Sequence, residues 1–252
     1  MRLLLALFTF CAFATGASAE DLVSGLSQDQ IQITSNYAGT DIVVFGAIES
    51  PETAETEAPR DIVVVVRGPE VDFAVRRKVR VAGIWINRDK ISLYGMPAYY
   101  YVASTRPLPK IASAGTLSQY QIGVSSLRPK GESTRSRRKG EPFRRAAIRL
   151  RERQKLYAEA PAGVEFLGYS LFRVRVPVPA SVATGEYSVQ VYLFRDGNVV
   201  SAQTTPLFVD QIGLERRLCR FAHGRPFWYG LVTVAMAMLL GWGSSFLFRR
   251  QA

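Results

Sequence analysis

The stretch 185–209, GEYSVQVYLFRDGNVVSAQTTPLFV, decides the fold class. Tyr187, Val189, Val191 and Leu193 recur at every second position, the period of a strand with one buried face. Asp196 and Gly197 interrupt that pattern with the residue types that a two-residue hairpin loop requires. Strand character then resumes as far as Val209, so the segment reads as a β-hairpin.

Working outward, LFRVRVPVPA at 171–180 alternates in the same way, with Phe172, Val174 and Val176 on one side and Arg173 and Arg175 on the other. Nearer the N-terminus, DQIQITSNY (29–37), TDIVVFGAIE (40–49) and RDIVVVVRGP (60–69) are rich in β-branched residues and predict three further strands. ESPETAETEAP, at 49–59, reads as a solvated acidic loop. VDFAVRRKVRVAGIWINRD, at 71–89, alternates too: Val71, Phe73, Val75, Val79, Val81 and Trp85 share one parity, and Asp72, Arg76, Lys78 and Arg80 the other. Arg77 falls on the apolar side. Its position predicts either a bulge that shifts the register or a carboxylate that holds Arg77 inward. About seven strands of this kind predict a mainly β fold, an immunoglobulin-like β sandwich.

A helical insertion at about 104–160 divides the strands. Ser104 or Thr105 is placed to cap a helix with Pro107 in its first turn, running toward Tyr120. A second helix is expected from Glu141 and Pro142 to about Ala158, with Phe143, Ala147, Leu150 and Tyr157 on one face. The segment 128–155 carries twelve basic and three acidic residues, and so supplies most of the chain's net charge of +11. Its first part, RPKGESTRSRRKGEPFRR, reads as a mobile loop. Arg135, Arg137, Arg138, Lys139, Arg144 and Arg145 are the candidate patch for an anion or for anionic lipid headgroups. No aromatic residues interleave with these cations as a stacking platform needs, and the reading includes no nucleic-acid partner.

The two ends set the compartment. MRLLLALFTFCAFATGASAE opens with one Arg, an apolar run and the small-residue triplet Ala17-Ser18-Ala19, the pattern of a signal peptide cleaved after Ala19. FWYGLVTVAMAMLLGWGSSFLF, at 227–248, holds no charge and is followed by Arg249 and Arg250. At about 1.5 Å per residue, such a helix spans a hydrocarbon core of roughly 30 Å. The expected organisation is therefore a signal peptide at 1–19, a periplasmic domain at 20–210, a basic juxtamembrane segment at 211–226, a transmembrane helix at 227–248 and a cytoplasmic tail at 249–252. The bacterial inner membrane is the expected location. Within the span, Thr233, Ala237, Gly241 and Ser245 recur every four residues and form a candidate helix-packing face.

Chemistry is harder to find. His223 is the only histidine and Cys219 the only cysteine beyond the signal peptide, too few to predict a His/Cys metal centre or a disulfide within the chain. The motifs of serine hydrolases, phosphate-binding loops and zinc peptidases are not present. The expectation is a protein without enzymatic activity, cofactor or metal.

ITSNYAGTDIVVFGAI, RDIVVVVRGP, VRRKVRVAGIWINRD, YYYVASTRPL, GEYSVQVYLFRDG and FAHGRPFWYGL, taken in order, resemble a family of alphaproteobacterial transmembrane proteins. The resemblance brings no catalytic or binding residues with it. Members are often encoded near membrane proteins of the sulfite-exporter type, which implies a link to transport of sulfur oxyanions. The expected role is an accessory or interaction subunit, with a polytopic transporter or a second copy of the chain as partner. The alternative is a periplasmic anion-binding module tethered to the membrane.

Overall fold

A computed structural model describes residues 21–34, 37–49, 60–130, 134–211 and 222–248, with the side chains of 134–139 and 245–248 excepted. The expected signal peptide, the acidic loop beyond Glu49, most of the juxtamembrane segment and the tail lie outside the described residues.

Among the described residues the chain is mainly β. In order it forms β1 (Asp21–Leu26), β2 (Gln30–Ile33), β3 (Gly39–Glu49), β4 (Arg60–Arg67), β5 (Glu70–Val81), β6 (Ile84–Pro97) and β7 (Tyr100–Ser104). Helices α1 (Leu108–Ile111), α2 (Ala114–Gln119) and α3 (Thr134–Arg153) follow, with a 3-10 turn at Val124–Ser126 between α2 and α3. Strands β8 (Tyr157–Pro161), β9 (Val164–Phe166), β10 (Leu171–Pro179), β11 (Gly185–Arg195) and β12 (Asn198–Gln211) follow, and helix α4 (Pro226–Phe248) belongs to a second unit.

The strands form three sheets: β1-β3-β10-β9, β2-β12-β11-β4-β7-β8, and the ribbon β5-β6. The hairpin that β11 and β12 make turns at Asp196 and Gly197, both with positive φ (50° and 81°), as the tight right-twisted hairpin loop demands. Phe172, Val174 and Val176 of β10 are buried, and so are Tyr187, Val189, Val191 and Leu193 of β11. These two alternating strands face the core that the larger sheets share. Tyr101 of β7 and Tyr99 just before it donate from their hydroxyls to the Arg175 and Pro177 carbonyls of β10, joining the six-stranded sheet to the four-stranded one.

Strand β4 follows a different rule. Every residue from Ile62 to Val66 is at most 1 % exposed. A continuous apolar run of this kind belongs to a strand covered on both faces, and the insertion supplies the second cover. Arg67 donates to the Tyr120 and Gln121 carbonyls, and Tyr192 of β11 meets Tyr120 edge to face. Tyr100 donates to the Gln121 carbonyl and accepts from the Gly123 amide. Burial pushes its phenol well above the ordinary tyrosine value, which keeps the donor protonated.

Several expectations need correction. Where about seven strands were expected, the body has ten strands in two sheets, one of which holds a parallel pair, β7 and β8. The stretch 71–89 is not one strand but a hairpin, reversing at Ala82 and Gly83 (φ 48° and 85°). The first insertion helix is two short ones. Ser113, not Ser104 or Thr105, caps the second of them by accepting from the Thr116 amide. Helix α3 starts at Thr134, within the segment read as a mobile loop, and ends at Arg153. Arginine and lysine are good helix formers, and Ala147 and Ile148 bury one face of the helix against the body. Leu150 is exposed, and Tyr157 opens strand β8 in parallel register with Tyr100.

Candidate functional site

Two surfaces remain after the core has been assembled: the β5–β6 ribbon and helix α4. The ribbon pairs only with itself among the described strands. Residues directly opposite on paired strands share a face. One face therefore carries Phe73 with Leu93, Val75 with Ile91, Arg77 with Asp89, Val79 with Ile86, and Val81 with Ile84. The other face carries Arg76 with Lys90, Lys78 with Asn87, and Arg80 with Trp85. The base of the first face is covered, since Leu93 is buried and the Arg151 guanidinium of α3 lies 4.1 Å from the Phe73 ring centroid. The far end is bare. Val81, Ile84, Trp85 and Ile86 are 45 %, 69 %, 65 % and 43 % exposed.

Arg77 sits in the middle of this ribbon. Both devices offered for it are present: the register shifts between Arg77 and Lys78, and Arg77 donates to the Asp89 carboxylate at 2.5 Å. It is not an inward cation, however. Its side chain is 65 % exposed, because no described element covers that part of the ribbon. Trp85 also changes sides relative to the sequence reading, since the reversal at Ala82 and Gly83 makes it the partner of Arg80.

Of the candidate basic patch, Arg144 and Arg145 have described side chains. Arg144 is turned in, donating to Glu141 and to the Ser125 and Leu127 carbonyls. It fastens α3 to the 3-10 turn and is not free for a headgroup. Arg145 is exposed but paired with Glu141 one turn back. Arg135, Arg137, Arg138 and Lys139 lie in the first turns of α3, and their side chains are outside the described residues. Beside the ribbon, a groove of about 710 Å³ between α3 and β5 is lined by Arg76, Arg149, Arg151 and Arg153.

Glu141 is the anchor of this arrangement. Its partial burial pushes the carboxyl up, but the hydrogen bonds from Arg144 and Arg145, with their charges, outweigh that and hold it below its ordinary value of 4.5. A depressed folded-state value contributes stability that is present above pH 4.5 and lost as the pH falls through the folded-state value. Acid unfolding of the wild-type chain is therefore expected to include a component, below pH 4.5, that Glu141→Gln lacks. Near pH 7 the variant is expected to be less stable by about 1 kcal/mol. Urea midpoints measured across the pH range check both statements.

Helix α4 forms the other surface. It is apolar on all sides, and Pro226–Ser244 has a mean hydropathy of 1.3 with none of it buried. Phe227, Trp228 and Tyr229 stand at its start, where an interfacial aromatic belt lies. Of the predicted packing face, the Thr233 hydroxyl donates to the Tyr229 carbonyl within the helix itself, and Ala237 and Gly241 are exposed. The Ser245 side chain lies outside the described residues. Gly230, which the every-four pattern passed over, is eleven residues before Gly241 and falls, with Ala237, within about 40° of it around the helix axis. A Cβ built on Gly230, Gly241 or Gly243 would meet nothing within 4 Å.

A membrane-spanning helix joined to a mainly β body defines the class, a single-span membrane protein by its described helices. Residues 21–250 match the family described as Putative transmembrane protein (Alph_Pro_TM), and the chain belongs to that family. No curated protein matches it.

Proposed function

We propose that this chain is a single-pass, non-enzymatic subunit of the bacterial inner membrane, with its β body in the periplasm, that works by contact with a partner in the same bilayer. The partner is a polytopic transporter or a second copy of the chain. The resemblance noted above favours export of sulfur oxyanions as the transported class. The observation that carries the reading is the set of helix glycines. Each interior glycine costs a helix about 1 kcal/mol relative to alanine, and no described side chain of this protein occupies the space beside Gly230 or Gly241. Lipid packs as well against leucine as against glycine, so a helix alone in lipid has no use for them. A second helix does, because backbones approach closely over small residues and gain dispersion contacts.

Gly241→Leu is expected to leave membrane insertion intact and to lower the yield of a crosslinked partner by about tenfold, whereas Leu240→Ala changes it little. Crosslinking in native membranes, with the crosslinked species identified by mass, measures this. Equal yields from wild type and Gly241→Leu would show that the span only anchors the body.

A further inference from the structure

The far end of the β5–β6 ribbon combines an apolar tip with a collar of cations. Residues 81–86 form an uncharged tip of Val, Ala, Gly, Ile, Trp and Ile, and most of it is exposed. Directly behind it, on both strands, stand Arg76, Arg77, Lys78, Arg80, Arg88 and Lys90 with the single carboxylate Asp89, a net of +5 over residues 76–90. Arg77 alone of these cations is engaged with that carboxylate. Paired strands fix both the collar and the crown, so their spacing is set by the ladder and not by loop motion. The Ala82 and Gly83 turn carries no polar side chain that would oppose entry into an apolar layer.

We propose that this ribbon docks on an anionic bilayer surface, with Ile84, Trp85 and Val81 entering the headgroup and upper acyl region and the cations on lipid phosphates. Three observations select a lipid surface over a protein as the occupant. The charge around the tip is strongly positive, with Asp89 the single carboxylate among six cations, as a laterally uniform anionic surface rewards and a mixed protein surface does not. The apolar residues occupy both faces at the tip, Trp85 on one and Val81, Ile84 and Ile86 on the other, which suits insertion end-on more than burial of one face against a partner. Tryptophan and arginine are also the side chains that fit the water–lipid boundary, each with an apolar body and a polar end. Because the same chain carries a span, the ribbon meets lipid at high effective concentration and needs little affinity of its own.

The test uses the full chain with Cys11 and Cys219 replaced by serine. An environment-sensitive dye is attached at Ile84→Cys or, as control, at Tyr169→Cys, a fully exposed position at the β9–β10 connection. The protein is reconstituted in phosphatidylcholine vesicles containing about one-third phosphatidylglycerol, or in phosphatidylcholine alone. In anionic vesicles the dye at position 84 is expected to be quenched by nitroxide-labelled lipid and shielded from aqueous acrylamide about fivefold more than the dye at position 169. Arg80→Ser and Arg88→Ser are each expected to lower the docked-to-undocked ratio about fivefold. Equal docking on phosphatidylcholine alone overturns the assignment to an anionic surface. A dye at 84 as exposed as the control in both vesicles, yet shielded in native membranes, overturns it in favour of a protein partner. Position 84 lies outside the core, so labelling does not threaten the fold. The vesicles contain no other membrane protein, so failure here leaves the packing face of α4 untouched.

Discussion

Gly46→Ala is expected to destabilise the body by about 3 kcal/mol or more. Gly46 lies on the buried parity of β3, between Val44 and Ile48, and is bracketed by Ser24 of β1 and Phe172 of β10. A Cβ there would stand 2.5 Å from the Val23 carbonyl oxygen and 2.6 Å from the Phe172 ring. The ring could turn away, but the carbonyl belongs to the neighbouring strand and moves only if β1 shifts. Trimming the ring therefore relieves half of the conflict. Phe172→Leu in the Gly46→Ala background is expected to recover part of the loss and no more. Urea unfolding of the full chain in detergent, followed by far-UV circular dichroism, measures both. A Gly46→Ala chain as stable as wild type would mean that β1 does not pack as described.

Asp61→Ala comes next, with an expected cost of about 3 kcal/mol. Asp61 is the one buried carboxylate among the described residues, 4 % exposed at the start of β4. Its Oδ1 accepts from the Thr105 hydroxyl at 2.7 Å and from Arg106 Nε at 2.8 Å, and its Oδ2 accepts from the second arm of the Arg106 guanidinium. The carboxylate thus ties the first residue pair of β4 to the turn that leads from β7 into α1. Removal leaves the Thr105 hydroxyl without its acceptor and the turn without its clamp. Asp61→Asn keeps the shape but sets amide donors against the guanidinium, so it is expected to recover little of the stability. The same unfolding measurement separates the outcomes, and an Asn variant equal to wild type would show that charge is not what holds the turn.

The sequence reveals one kind of information well. Strict alternation in β10 and β11 shows which side chains enter the core, and the Asp196-Gly197 pair shows where the chain reverses. The β-branched Ile62-to-Val66 run marks a strand, and the structure adds that it is buried on both faces. What stays hidden depends on tertiary partners. The reversal at Ala82 and Gly83 lies inside an apolar stretch, and Ala82 is not a residue type that signals positive φ. Parity counted straight through it assigns Trp85 to the wrong face. The helix expected from Glu141 is present as the larger part of α3, but its first turns, from Thr134, are hidden in the sequence because arginines and a lysine among Ser and Gly look like a solvated loop. The Asp61–Arg106 pair is forty-five residues apart in sequence, and no local pattern joins them. Of the candidate surfaces, the small-residue ridge proposed on α4 is drawn from helical spacing alone. The ribbon tip was not legible, because its exposure follows from which elements fail to cover it.

The claim that the span packs against a partner is tested most directly by placing a photo-crosslinking side chain at Ala237 or at Leu239, about 200° apart around the α4 axis. The account predicts a protein adduct of defined mass from position 237 in native membranes, and only lipid adducts from position 239. Lipid adducts alone from both positions, or the same protein adduct from both, would contradict it.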